Sequence, residues 1–276
     1  MNNQNIIELV KNFWLESPKN KMTNEYGFAP ESAIGMPMYG EPIIGFADAT
    51  DPYFERLKKP EAIGEHHNTP AEWLPESKSI VSYFFPWSED IKESNRKDAV
   101  HCSLEWTEAR IEGEAFLVAV GEFLKAEIEK EGETSLIPSI DKRYGSGLYE
   151  LDGKEEAHAK YRSNWSERHA AYACGLGTFG LHKGLLTSVG AAGRCGSIIT
   201  TLKLEPTKRP YQGLYDYCTM CGDCVKNCPP EAISIKEGKN HEPCFVFMNG
   251  NRLEGQNVFV CGKCQVNVAC GYGIPE

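Results

Sequence analysis

Cys218-Thr219-Met220-Cys221-Gly222-Asp223-Cys224-Val225-Lys226-Asn227-Cys228-Pro229 follows the spacing C-x2-C-x2-C-x3-C-P without a mismatch. Three thiolates on one tight loop can cap three irons of a cubane, while the fourth, followed by proline, is turned away and ligates a second cluster. The spacing therefore requires a second set of thiols, and Cys244, Cys261, Cys264 and Cys270 supply it. The crossed arrangement assigns Cys218, Cys221, Cys224 and Cys270 to one [4Fe–4S] cluster, and Cys228, Cys244, Cys261 and Cys264 to the other. The second half departs from a simple repeat: five residues separate Cys264 from Cys270, and Gly271 follows in place of proline. Two zinc sites of four thiolates each are the alternative, although a zinc ribbon has no use for three closely spaced thiolates plus an outward Cys-Pro. Cys102, Cys174 and Cys195 have no partner at ligand spacing and read as small buried hydrophobes.

Two clusters need little more than residues 217–276, so the chain ahead of them requires a purpose of its own. With 276 residues in all, there is room for a large core and a small appendage. The composition shift at Pro206–Tyr217, rich in proline and tyrosine, divides an α/β cofactor or substrate domain (1–210) from a two-cluster ferredoxin-like domain (211–276). A formal net charge of −10 argues against a broad electrostatic grip on nucleic acid. No apolar run reaches the ~18 residues that a membrane span needs, and the N-terminus has neither a basic region nor a small-residue cleavage site. These features lead us to expect a cytoplasmic protein with no membrane association.

Within the first domain, Ile6, Leu9, Val10, Phe13 and Trp14 recur at helical spacing and predict a short amphipathic helix over 5–14. Residues 15–75 are rich in Pro, Gly and Asn and read as irregular, with a strand at Ile43–Ala47. Ser79–Phe85 is a β-branched and aromatic run ended by Pro86, the pattern of a buried central strand. Apolar positions from Trp106 to Ile128 predict a long helix over 105–130, stopped by Gly132. A second helix is predicted over Glu167–Cys174, with Ser166 as N-cap and Glu167 near the positive end of its dipole. Gly184–Thr187 and Ser197–Leu202 read as strands paired with each other around a glycine-rich turn. Mixed α/β is the fold class.

Gly175-Leu176-Gly177-Thr178-Phe179-Gly180 matches G-x-G-x-x-G, but a dinucleotide fingerprint follows a strand and opens a helix, whereas this one follows a helix. Such glycines mark a sharp turn or a close approach to something bulky. A helix C-cap followed by a tight turn explains the pattern equally well.

Trp165 to Gly177, Phe179 to Thr187 and the whole cysteine segment together resemble the epoxyqueuosine reductases and, more distantly, the reductive dehalogenases. The resemblance implies an open α/β sandwich similar to the nitroreductases, two [4Fe–4S] clusters and a cobalamin. It further implies that Gly175, Leu176, Gly177, Gly180, Leu181, His182 and Lys183 lie against the corrinoid, and that the electron donor is an external ferredoxin or flavodoxin. The substrate is then a small molecule of unknown identity. Only six residues follow Cys270, so the helical-repeat appendage that many such enzymes carry for tRNA is not expected, and tRNA is not expected as a partner. The family's catalytic aspartate has Asp141 as its nearest counterpart, and Glu167 and His169 are further candidate proton donors beside the glycine turn, with Tyr144, His182 and Lys183 as other titratable neighbours. An electron-transfer protein that docks another protein, or a cobalamin-free iron–sulfur or flavin reductase, would keep the clusters and change the chemistry.

Overall fold

The structure is a computed structural model that describes residues 1–149, 160–250 and 260–276. A four-stranded antiparallel sheet forms its centre, in the order β1–β2–β8–β3. The strands are β1 (Ile43–Asp48), β2 (Ser79–Pro86), β3 (Ser135–Leu136) and, much later in the chain, β8 (Gly193–Thr200). Every residue of β2 is buried, as its unbroken apolar run requires of an interior strand. Alternate residues of the sheet feed two separate cores. Val81, Tyr83, Phe85 and Ile198 pack against α1 (Asn3–Glu16) and α5 (Leu104–Lys130), meeting Ile6, Val10, Phe116 and Val120. Ile80, Phe84 and Ile199 face the other way, onto Phe54 of α2 (Pro52–Leu57), Trp73 of α3 (Pro70–Trp73) and Ala170 of α6 (Glu167–Ala173). Helix, sheet and helix therefore stack in three layers, and each fully buried aliphatic or phenylalanine side chain contributes about 1.5–3 kcal/mol.

Capping sets the helix starts. Asn2 and Asn5 form a reciprocal capping box on α1, Ser103 accepts from Trp106 N at 3.0 Å on α5, and Thr69 with Glu72 caps α3. On α5 the buried Glu108 and Glu112 accept backbone N–H groups of Thr23, Glu25, Tyr26 and Phe28, so the loop after α1 is tied down by carboxylates. Helix α4 (Glu89–Arg96) follows β2 and holds Asn95, fully buried. The hairpin β4 (Ser146–Tyr149) and β5 (Lys160–Ser163) precedes α6.

Two local expectations are corrected. Residues 185–187 do not pair with β8: β7 (Leu185–Thr187) forms a separate hairpin with β6 (Gly177–Phe179), and β8 inserts between β2 and β3. The turn at 188–192 releases the chain from one sheet to the other, with Gly190 in the left-handed region at φ 93°. Ser166 precedes α6 as expected, but its hydroxyl bonds His169 Nδ1 at 2.7 Å and makes no cap bond.

The 206–217 stretch is bound to the body along its length. Thr207 exchanges bonds with Phe46, Phe179 N donates to Leu214 O at 2.6 Å, and Tyr211 Oη donates to Tyr172 O at 2.7 Å. Beyond it come α7 (Asp223–Lys226), the small hairpin β9 (Ile233–Ser234) with β10 (Gly238–Lys239), and α8 (His241–Gly250). Lys263, buried, donates from Nζ to Asn95 O and Oδ1 at 2.6 and 2.9 Å, and Asn95 Nδ2 donates to Cys261 O at 2.9 Å. This lock holds the second half of the cysteine segment on α4.

Candidate active site and metal centre

The cysteines of the C-terminal segment fall in two overlapping neighbourhoods, with Cys264 beside both. Cys224 lies in the first turn of the short α7, after Gly222, whose left-handed φ of 80° turns the chain between Cys221 and Cys224. Burial, and then the neighbouring thiols Cys264, Cys270, Cys218 and Cys221, push the Cys224 thiol up to about 12. Cys270 is likewise pushed up to about 12, by burial and then by Cys218 and Cys221. In the other neighbourhood Cys261 rises to about 12 through burial and then the proximity of Cys264 and Cys244. Burial also raises Cys228, with Cys264 and Cys244 adding to it. Crowded, desolvated thiols cannot all ionise without a compensating cation, so a segment that brings these thiols together suits a metal, with Cys264 standing beside both Cys224 and Cys228. Among the described residues no three His, Cys, Asp or Glu side chains converge closely enough to hold a single metal ion.

A cavity of about 700 Å3 separates the second group from the sheet, a volume in the range of cofactor and substrate sites. Cys228, Cys244, Cys261 and Cys264 line one side, together with Lys239 and His241; Arg110 and Glu114 of α5, Arg194 and Cys195 of β8, and Glu167 and Arg168 at the start of α6 line the others. Trp87, Trp106 and Trp165 give it aromatic walls. Glu167 stands deep in this space with neither carboxyl oxygen hydrogen-bonded. The Ser197 hydroxyl, which accepts from Trp165 Nε1 at 3.0 Å, and the Trp165 indole lie near the carboxyl and favour its charged form slightly. Burial dominates, the Glu114 charge adds to it, and the Glu167 carboxyl is pushed up to about 8. At neutral pH it holds its proton.

No protein-family model matches the chain. Among solved structures it resembles an epoxyqueuosine reductase from Streptococcus thermophilus, with a TM-score of 0.51 and 18% identity over 85% of this chain and 63% of that one. A reductive dehalogenase described as B12-dependent gives a TM-score of 0.52 with 17% identity, over 80% of this chain and 28% of that one. The chain has the fold of the epoxyqueuosine reductases and reductive dehalogenases. A curated relative, the trichloroethene reductive dehalogenase of Dehalococcoides mccartyi, is 31% identical over 71 residues, 25% of this chain and 13% of its own length. The chain thus spans less than two thirds of the relatives it matches.

Within this reductase fold the residues singled out in the sequence fall in three places. His182, Glu167 and the four thiols named above line the cavity. His182 also touches the first thiol group: its Nδ1 accepts from Gly184 N at 2.9 Å, which leaves Nε2 facing Cys270 Sγ at 3.8 Å, and burial lowers its pKa to about 3. Gly175, Leu176, Gly177, Gly180, Leu181 and Lys183 are not among the residues lining the cavity. The glycines are required by the chain's own packing: a Cβ on Gly177 would lie 1.9 Å from Leu186 O, and one on Gly180 2.7 Å from Leu186 Cδ1. Leu176 and Leu181 are core residues of two different clusters, and Lys183 takes a left-handed φ of 56°.

Asp141 lies elsewhere again, capping a short turn with its carboxylate paired to Arg143 at 2.8 Å, which holds it down at about 2. His169 packs between the rings of Tyr53 and Phe179 beside the Ser166 hydroxyl, and burial lowers its pKa to about 3. Asp141 is therefore ionised and His169 neutral at pH 7, and neither faces the cavity. Sequence reasoning missed Arg110, Glu114 and Arg194, which β8 and α5 bring together from distant positions. It also missed Gly262, between Cys261 and Lys263, where a Cβ would lie 2.2 Å from Trp106; a glycine inside a C-x2-C spacer was the available signal.

Proposed function

We propose that the chain is an iron–sulfur reductase, in which two [4Fe–4S] clusters on a ferredoxin-like segment (211–276) pass electrons from an external ferredoxin or flavodoxin into a cavity of the α/β body (1–210), where a corrinoid and a small-molecule substrate are bound. One observation carries this reading: Cys228, Cys244, Cys261 and Cys264 form a wall of the same cavity in which Glu167 holds a proton at neutral pH. Electrons and a proton thus have separate entries to one cavity. A bound corrinoid would supply the low-potential metal that passes electrons to the substrate.

The chain's own residues supply the rest. Glu167 presents a neutral carboxyl whose proton is available to a reduced substrate, since its ordinary anionic form is disfavoured by burial. The indoles of Trp87, Trp106 and Trp165 supply the aromatic part of the same cavity wall. Lys239 and Arg168 stand near the second thiol group, where they favour the Cys264 thiolate and would offset the negative charge of an iron-loaded site.

A cobalamin-free reductase, using flavin or no second cofactor, is the alternative, and the glycine motif favours it: Leu186 fills the space beside Gly177 that a macrocycle would need. Titration of cluster-loaded, anaerobically prepared protein with hydroxocobalamin separates the two. Retention of about one cobalt per chain after desalting supports the corrinoid; no spectral change and no retained cobalt, with the iron intact, favours the alternative.

A further inference from the structure

Beyond Glu167, the cavity wall carries a charge imbalance that electron delivery does not use. Arg110 donates from Nη1 to Glu114 Oε2 at 3.1 Å, and Arg194 donates from Nη2 to the same oxygen. Two guanidinium groups share one carboxylate oxygen, and all three side chains line the cavity. Burial and the nearby Arg194 charge lower Arg110 to about 10, so it remains charged at neutral pH while bearing the strain of a like-charged neighbour.

The surrounding groups do not cancel the excess. Glu167 is protonated near pH 7, His241 is neutral, and the Tyr39 hydroxyl is buried and held neutral. Arg168 and Lys239 add positive charge toward the thiols. Among the described residues, the Arg110–Glu114–Arg194 group therefore keeps one net positive charge on a wall of a cavity inside an acidic protein. These side chains are part-exposed where they line the cavity, so the excess charge is open to an anion that enters it. Glu114 takes one N–H from each guanidinium, while each guanidinium carries five in a planar fork that matches carboxylate and phosphate.

We propose that Arg194, braced by Glu114 and Arg110, receives an oxyanion, a carboxylate or a phosphate, on the molecule that the cavity binds. This rests on the reading of the cavity as the active site. Two sources share that chemistry: the substrate itself, or the phosphodiester of a bound cobalamin.

The test uses anaerobically prepared, cluster-loaded protein and calorimetric titration with benzoate and with benzamide, which share a shape and differ in charge. Benzoate is expected to bind at least tenfold more tightly, to lose that advantage in Arg194→Gln and to keep part of it in Arg194→Lys, with iron content unchanged throughout. The Arg194→Gln variant leaves Arg110 and Glu114 as a balanced pair, so its fold has no new buried charge. Equal binding of benzoate and benzamide, with no binding of inorganic phosphate, overturns the proposal. So does a benzoate preference that survives in both Arg194→Gln and Arg110→Gln. In a parallel arm, Arg194→Gln that releases hydroxocobalamin but retains cobinamide, which lacks the phosphodiester, assigns the oxyanion to the corrinoid. Loss of the benzoate preference with both corrinoids retained assigns it to the substrate. Wild-type protein that retains neither corrinoid yet prefers benzoate overturns the corrinoid reading and leaves the receptor in place.

Discussion

Replacing Glu167 by glutamine isolates the cost of keeping a carboxyl in the cavity wall. Its pKa of about 8, against an ordinary 4.5, spans 3.5 pH units, and at 1.36 kcal/mol for each this bounds the effect at about 5 kcal/mol. Below pH 4.5 both folded and unfolded chains hold the proton, and the carboxyl contributes no pH dependence. Between 4.5 and 8 the unfolded chain has released a proton that the folded chain keeps, so raising the pH removes stability; above 8 the loss is complete and constant. Glutamine never ionises, so Glu167→Gln should gain on the wild type across that window and then level off. The carboxyl faces a cavity that water can enter, and discounting by half leaves about 2 kcal/mol by pH 8. Urea midpoints from pulse proteolysis of anaerobic, cluster-loaded protein at pH 5.5 and 8.5 measure the gap. A gap that stays constant or narrows as pH rises would show that Glu167 ionises like an exposed carboxylate, and its role as a proton donor would fall with it.

Cys221→Ser should lower the iron of the purified protein from about eight to about four per chain; unchanged iron would remove Cys221 from the ligand set. Gly177→Ala places a methyl group 1.9 Å from Leu186 O, so this variant should fail to accumulate as folded, iron-retaining protein. Recovery of normal yield and iron would show that the hairpin of β6 and β7 yields more easily than its packing implies. With a net charge of −10, tRNA should not bind with submicromolar affinity at about 0.15 M salt, and a filter-binding Kd below that level with epoxyqueuosine-containing tRNA would contradict the expectation.

The sequence was most informative where chemistry imposes spacing. The cysteine run implies a crossed pairing because thiolates on a tight loop can reach only certain irons, a pairing that cluster analysis tests, and the burial of Ser79–Phe85 shows in an unbroken apolar run that suits only an interior strand. Residues 185–187 misled because a short apolar run pairs with whichever edge is available; the β6 edge, completed by Gly177, took them instead of β8. The glycine motif was legible as a close approach, but sequence cannot say what approaches, and in the fold it is Leu186. The ion group was invisible for a different reason: Arg194 is 80 residues from Glu114 in the chain, and only the insertion of β8 beside β2 brings it onto Arg110 and Glu114.

The most direct test of the central claim is iron, sulfide and zinc analysis of anaerobically purified protein, with its visible spectrum. The account predicts about eight irons and eight sulfides per chain, and a broad visible absorbance that bleaches on reduction. Stoichiometric zinc, with little iron and no visible absorbance, would contradict it.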